Sequence, residues 1–391
     1  MQRAFQRDRF TWLMYVSLAF YGYFLNVLGP ITPFLKDELQ LSYTVSSFHF
    51  TAFAIGILLI GLGGHWVIQR LGRGRSLWLG LFGMSLSAWI LLIGRNPVMT
   101  IGACFLMGLI GSLILAIVPA ALSDRHGESR TVALSEANMI ASLFSTCAPL
   151  FVGWFAHSVG SWRWALGVIA FTPILMFLIF RDDSSSPTSS IAPDPIAGNR
   201  SLPPLFWIYW LAIVLGVSVE FCMVFWSADY VEQVLGMIKA DAAQAVSLFL
   251  AAMILGRLLG SRLVQRFSTG AVLMISIVLA AIGFLAFWKG ESRWVGLSGL
   301  FITGLGVANL YPLLLSLTIG AANGNTVQAG ARATLASGTA ILALPLALGR
   351  LADGVGIRSA YGIVVLLLIS IFFIIQIAAR MSAAQSWRHK R

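Results

Sequence analysis

Long apolar runs separated by short polar breaks occupy almost the whole chain. Twelve occur, at about residues 10–34, 46–69, 76–94, 98–122, 133–156 and 162–180 in the first half. In the second half they fall at about 205–230, 242–265, 270–288, 294–318, 333–352 and 359–379. A helix needs about 20 apolar residues to cross the ~30 Å hydrocarbon core of a bilayer, and each run supplies roughly that length. Strands of a transmembrane barrel alternate polar and apolar residues, which these continuous runs do not. The expected fold class is therefore an all-α membrane protein with twelve transmembrane helices. Composition agrees: of 391 residues 58% are hydrophobic and only 10% charged, against about 25% charged in a soluble domain. That excludes a soluble enzyme, a secreted disulfide scaffold and a disordered tail. Twelve spans use about 240 residues, leaving short loops and tails and no room for an extramembrane domain.

The net charge of +11 follows from lysines and arginines on loops of one side and calls for no nucleic-acid partner. With an even number of spans, both tails share a side with loops 70–75, 124–130, 181–203, 262–266 and 319–332. That side carries seventeen basic residues and the opposite side seven, so the positive-inside bias puts both termini in the cytoplasm. The first run follows Arg3, Arg7 and Arg9 but is too long for a signal peptide and lacks a small-residue cleavage site; it is expected to stay in the mature protein. Cys104, Cys147 and Cys222 lie inside apolar runs without metal-ligand spacing, as packing residues do. Between the halves, residues 181–204 are rich in Ser and Pro and read as a flexible connector. It separates an N-terminal unit, 1–180, from a C-terminal unit, 205–391.

The two units share an internal repeat with an offset of 196 residues. Gln69-Arg70 pairs with Gln265-Arg266, and Phe105-x-x-Gly108-Leu109 with Phe301-x-x-Gly304-Leu305. Pro149-Leu150, Gly153 and Val159-Gly160 pair with Pro345-Leu346, Gly349 and Val355-Gly356. With one gap, Arg163 pairs with Arg358. Spans six places apart cross in the same direction, so this is a parallel repeat: two six-helix bundles related by a pseudo-two-fold axis along the membrane normal.

Two six-helix halves with a polar connector resemble the major facilitator superfamily over essentially the whole chain. The family's most specific mark is a Gly-x-x-x-Asp-Arg-x-Gly-Arg loop between the second and third spans. Here the loop reads His65-Trp-Val-Ile-Gln69-Arg70-Leu71-Gly72-Arg73. Arg70, Gly72 and Arg73 are kept; His65 replaces Gly, and Gln69 replaces Asp. The resemblance implies that Gln69, Arg70 and Arg73 belong to a gating latch, in which Gln69 hydrogen-bonds but forms no ion pair. It also implies a monomer that binds solute near mid-membrane and alternates access by rocking its halves, with the first, fourth, seventh and tenth spans lining the path.

Ionisable groups inside spans cost roughly 2.5–3.5 kcal/mol on insertion scales, so they are paired or functional. Glu220 lies at least ten residues from either end of the seventh run, about 15 Å into hydrocarbon. Desolvation there disfavours its charged form, which suits a proton carrier; the alternative is a structural partner for a cation. Arg257, in the eighth run, is a partner for Glu220 or for a backbone carbonyl, or else a contact for an anionic substrate. Asp229 lies near the outer end of the seventh run, where solvation is easier, as an interfacial residue or a gate. Glu136 begins the fifth run, where the helix dipole favours an acid. Tyr23, Asn26, Asn309 and Tyr311 complete the candidate substrate-binding set. Trp226 either stacks on ligand or anchors at the interface. No Walker-type loop, zinc spacing or catalytic triad is present, so neither an enzyme nor a cofactor or metal is expected. The expectation is proton-coupled secondary transport of a small solute, a symport in a prokaryotic inner membrane. An uncoupled facilitator and multidrug-type efflux are the alternatives.

Overall fold

The computed structural model describes residues 6–180, 202–322 and 326–389. The expected connector at 181–204 lies outside them up to residue 201. No strand occurs among the described residues. The first five helices are Arg9–Glu38, Tyr43–Leu71, Arg73–Ile93, Pro97–His126 and Arg130–Ser158. The sixth is broken into Arg163–Ala170 and Thr172–Phe180. Pro204–Leu235, Lys239–Leu263 and Thr269–Lys289 follow as the seventh, eighth and ninth. The tenth is broken into Arg293–Val307 and Leu310–Gly320; Thr326–Ala360 and Gly362–His389 are the last two. Among the described residues eleven stretches are long and apolar enough to cross a membrane, one of them running 62 residues from Pro97 to Ser158. At ~1.5 Å per residue that stretch would exceed 90 Å if straight. A 3-10 turn at Gly127–Ser129 folds it into two helices, which makes twelve such helical stretches among the described residues.

Local sequence explains where helices start. Asp8, Ser42, Asn96 and Ser268 each place a side-chain oxygen on a backbone N–H of the following first turn, satisfying donors that have no partner within the helix. Several buried hydroxyls along the helices turn back to the carbonyl four residues earlier. Ser17 donates to Leu13 at 2.7 Å, Ser218 to Val214 at 2.6 Å and Thr303 to Gly299 at 2.7 Å. In a water-free medium such a bond spares the hydroxyl the cost of an unmet donor.

The chain forms two compact units. One holds the described residues up to 180 together with 238–247; the other holds 202–237 and everything described from 248 on. The 196-residue repeat appears inside each of them as the same packing contact. A Cβ on Gly108 would lie 2.1 Å from the Phe53 carbonyl oxygen, and one on Gly304 would lie 2.4 Å from that of Phe249. Both pairs are offset by 196, and only glycine admits so close an approach of backbones. Gly160 and Gly356, also a repeat pair, both sit at φ 77°. In the second unit this turn interrupts the helix Thr326–Ala360.

Arg163, at the start of the sixth run, is buried at 8% exposure. Its guanidinium donates to the carbonyls of Leu91 and Gly94, each at 3.4 Å, and to Leu92 and Glu38. One side chain thus satisfies the open carbonyls at the end of the third helix and ties it to the end of the first.

Candidate functional site

Glu220 lies sixteen residues from the start of the seventh helix and fifteen from its end, more than 20 Å from either. It is half-buried. Among the described residues it accepts no hydrogen bond and has no ion-pair partner within 4 Å. One turn earlier, a Cβ on Gly216 would lie 3.3 Å from the Leu314 side chain and 3.5 Å from that of Leu310, so the seventh helix packs closely on the tenth there. That contact brings Tyr311, between them, into electrostatic reach of Glu220. Arg257, on the exposed side of the eighth helix, also acts on Glu220. Tyr311 turns towards Ser337 of the eleventh helix, whose hydroxyl closes no well-formed hydrogen bond. The second unit therefore gathers an acid, a guanidinium, a phenol and a hydroxyl from four helices.

What holds this cluster is Asn309. It sits at the break between the two segments of the tenth helix. Its amide donates to the Gly256 carbonyl at 3.0 Å, and it fills the notch left by Gly260, where a Cβ would fall 2.0 Å from its carbonyl oxygen. The eighth and tenth helices are bolted together one residue before Arg257. Asn309 thus positions the cluster while its own amide is committed.

Three other expected substrate contacts are likewise committed to the scaffold. Tyr23 is 0% exposed and donates to the Ala165 carbonyl at 2.8 Å, edge-on to Phe24 and Phe151. Asn26 donates to the Gly22 carbonyl of its own helix at 2.9 Å. Trp226 is 0% exposed; its indole donates to the Pro345 carbonyl at 3.0 Å, so it neither anchors at an interface nor faces an opening. Asp229, expected where solvation is easy, is fully buried in the vicinity of Tyr361, because the seventh helix continues to Leu235.

In the loop that carries the family's mark, Arg70 stacks 3.9 Å over the Trp66 ring, Gln69 is exposed, and Arg73 donates to Asp124 at 2.5 Å. The acid missing at position 69 is thus matched by one from the end of the fourth helix. Sequence reading missed Asp124, although its place beside Arg125 at the end of an apolar run marked it. It also missed a network at the N-terminal end of the first helix. Arg7 grips Glu136 through two hydrogen bonds, at 2.8 and 2.6 Å, and Tyr15 adds a third at 3.1 Å. Arg125 holds Asp8 at 2.9 and 2.5 Å, and Thr11 meets His126 at 2.8 Å. Burial works against the Asp8 carboxylate, but the hydrogen bonds of Thr11 and Arg125 outweigh it and hold its pKa below the ordinary value. At the opposite end of the first helix Asp37 pairs with Lys239, and Ser247 donates to the Thr146 carbonyl at 2.8 Å. Both contacts lie within the first unit.

A family model described as Major Facilitator Superfamily matches residues 14–337. An uncharacterised transporter of the same superfamily from Yersinia pestis is 25% identical, over 90% of this chain and 92% of its own. The glucose/mannose transporter GlcP of Bacillus subtilis (strain 168) is 23% identical, covering 76% and 78%. A bacterial homologue of the human lysosomal transporter Spinster superposes with a TM-score of 0.76 at 14% identity, covering 96% and 97%. The nucleoside transporter NupG superposes with a TM-score of 0.75 at 12% identity, covering 94% and 98%.

Proposed function

The chain belongs to the major facilitator superfamily, and we propose that it is a proton-coupled secondary transporter working by alternating access, with Glu220 as the proton-carrying group. The observation that carries this reading is the acid itself: a carboxyl at the middle of a spanning helix, without hydrogen bond or ion pair among the described residues. A carboxylate left so is costly in hydrocarbon. Protonation removes the charge, so the group is suited to crossing one way loaded and returning empty. Arg257 supplies the opposing field: it favours proton release when the two approach and is itself satisfied by an anionic solute when one binds.

Arg257 and Tyr311 are the substrate-facing groups of this reading, because the other polar candidates already bind backbone carbonyls. They suit a small polar metabolite, by hydrogen bond to the phenol or by charge to the guanidinium. Two relatives are named for sugars: the Bacillus subtilis protein and a glucose/galactose transporter of Brucella abortus. Asn309 sets the spacing of the cluster, while Gln69, Arg70 and Arg73 work with Asp124 in the latch. The seventeen-to-seven distribution of basic residues supports cytoplasmic termini, and the bacterial relatives support an inner-membrane location.

The test is uptake by proteoliposomes with Glu220→Gln. The variant should lose accumulation against a gradient while still exchanging labelled for unlabelled solute. Full uphill accumulation by Glu220→Gln would remove the acid from the coupling step. The nearness of Arg257 also fits an uncoupled facilitator in which the two charges are structural; solute-evoked proton movement separates the two, being absent in that case.

A further inference from the structure

An apolar opening in the second unit lies away from Glu220, between the ninth and twelfth helices. It has a volume of about 440 Å³ and purely apolar walls, among them Ile277, Ala281 and Leu285 on one helix and Val365, Ile369 and Phe373 on the other. The wall positions recur at four-residue steps on both helices, so each helix presents one continuous face. Leu285, Ile369 and Phe373 are 45%, 48% and 59% exposed, which opens the slot outward. Its cause is visible above it. Phe284 stacks on Tyr361 and Trp288, with centroids 6.1 and 6.2 Å apart, and a Cβ on Gly362 would lie 3.2 Å from the Trp288 ring. This aromatic pack clamps the helices at one end; below it the small Ala281 leaves them parted.

The clamped end is basic. The Trp288 indole donates to the Arg358 carbonyl at 2.6 Å, and the Lys289 ammonium lies 3.9 Å from the Trp288 ring. Lys289 and Arg358 are exposed, with no ion-pair partner within 4 Å among the described residues. Exposed Glu291 is the nearby acid in sequence. The ninth helix has 21 residues, about 31 Å, so it spans the hydrocarbon once with its midpoint near residue 279. The slot therefore starts about 6 Å below Lys289 and runs ~12 Å to the bilayer midplane. That is the course of an acyl chain in its own leaflet, with a tryptophan at the interface and two cations at headgroup level.

We propose that this slot is a specific site for an anionic phospholipid, one acyl chain lying along Ala281 and its phosphate held by Lys289 and Arg358. The apolar walls alone would accept any chain, or a second copy of this protein; the cations single out an anionic headgroup. Each basic residue near a membrane surface is worth about fivefold in such binding.

The experiment is native mass spectrometry of the purified protein offered equal amounts of phosphatidylglycerol and phosphatidylcholine with identical chains. The wild type should retain phosphatidylglycerol preferentially. Lys289→Gln and Arg358→Gln should each cut that preference about fivefold. Ala281→Phe, which fills the slot, should lower retention of both lipids; Val278→Trp at the rim repeats this test should Ala281→Phe fold poorly. Equal retention of the two lipids, or a preference untouched by the two charge substitutions, overturns the proposal. So does displacement of phosphatidylglycerol by millimolar inorganic phosphate, or a dimer that Ala281→Phe dissociates.

Discussion

Replacing Arg163 by Met removes a cation while keeping most of its length, and the structure sets the size of the loss. The guanidinium serves the carbonyls of Leu91, Leu92 and Gly94 and the Glu38 carboxylate. Glu38 keeps a hydrogen bond from Trp162 at 2.7 Å and a second cation, Arg95, at 3.7 Å. Breaking a buried ion pair costs about 3–5 kcal/mol. Here the Arg163 side chain is 10% exposed but that of Glu38 is 38% exposed, so water and Arg95 recover part of the loss. The stranded carbonyls at the end of the third helix add about 1 kcal/mol or more each where water cannot reach them. A net destabilisation of about 3 kcal/mol follows, roughly a 6 °C drop in Tm at ~2 °C per kcal/mol. Thermal unfolding in detergent, followed by size-exclusion of the surviving monodisperse protein, measures it. Arg163→Lys keeps the charge but not the fork and should fall between. Glu38→Gln should cost less than Arg163→Met, because the carbonyl contacts survive it. A Tm for Arg163→Met within 1 °C of wild type would refute the capping account.

Gly304→Val should prevent recovery of folded protein in detergent, since its side chain would enter the Phe249 carbonyl. Gly108→Val should do the same against Phe53, whereas Gly61→Val, where a Cβ meets nothing within 4 Å, should be recovered normally. Asp8 titrates below the ordinary carboxylate value, so its contacts with Thr11 and Arg125 stabilise the fold at pH above about 3.9. They are lost as pH falls through the lowered value, and Asp8→Asn should therefore flatten the acid limb of Tm against pH between about 5 and 3 while lowering Tm at neutral pH. Arg73→Asp and Asp124→Arg should each slow transport severalfold, and the double exchange should recover most of the rate. A double variant as slow as its worse parent would show that the Arg73–Asp124 contact is not what the latch uses.

The twelve crossings and the repeat were legible because each rests on a property of the chain alone. Apolar length fixes a span, and glycine marks a backbone approach wherever two helices meet. The pairing of Gly108 with Gly304 was readable as letters; that Phe53 and Phe249 supply the opposing carbonyls was not, since any apolar residue could stand there. Helix ends were read short where the polar caps lie beyond the apolar run. The seventh helix continues past residue 230 to Leu235, which carries Asp229 into the interior instead of leaving it at the surface.

The candidate site divides along the same line. Cost makes a mid-membrane acid stand out in any sequence, so Glu220 and the need for a nearby cation were readable. Which polar groups remain available to a solute was not, because that depends on what each one already holds. Tyr23, Asn26, Trp226 and Asn309 carry the right chemistry at the right depth, yet each donates to a backbone carbonyl. In water such donors lose little by letting go; in hydrocarbon a released N–H or O–H costs several kcal/mol unless the solute replaces the bond. Residues of this kind define the shape around a ligand, and those without fixed acceptors bind it. In the function proposed above, Glu220, Arg257, Tyr311 and Ser337 are the groups that meet a solute; substitutions there should then change affinity or coupling, whereas Asn309→Ala should first lower stability.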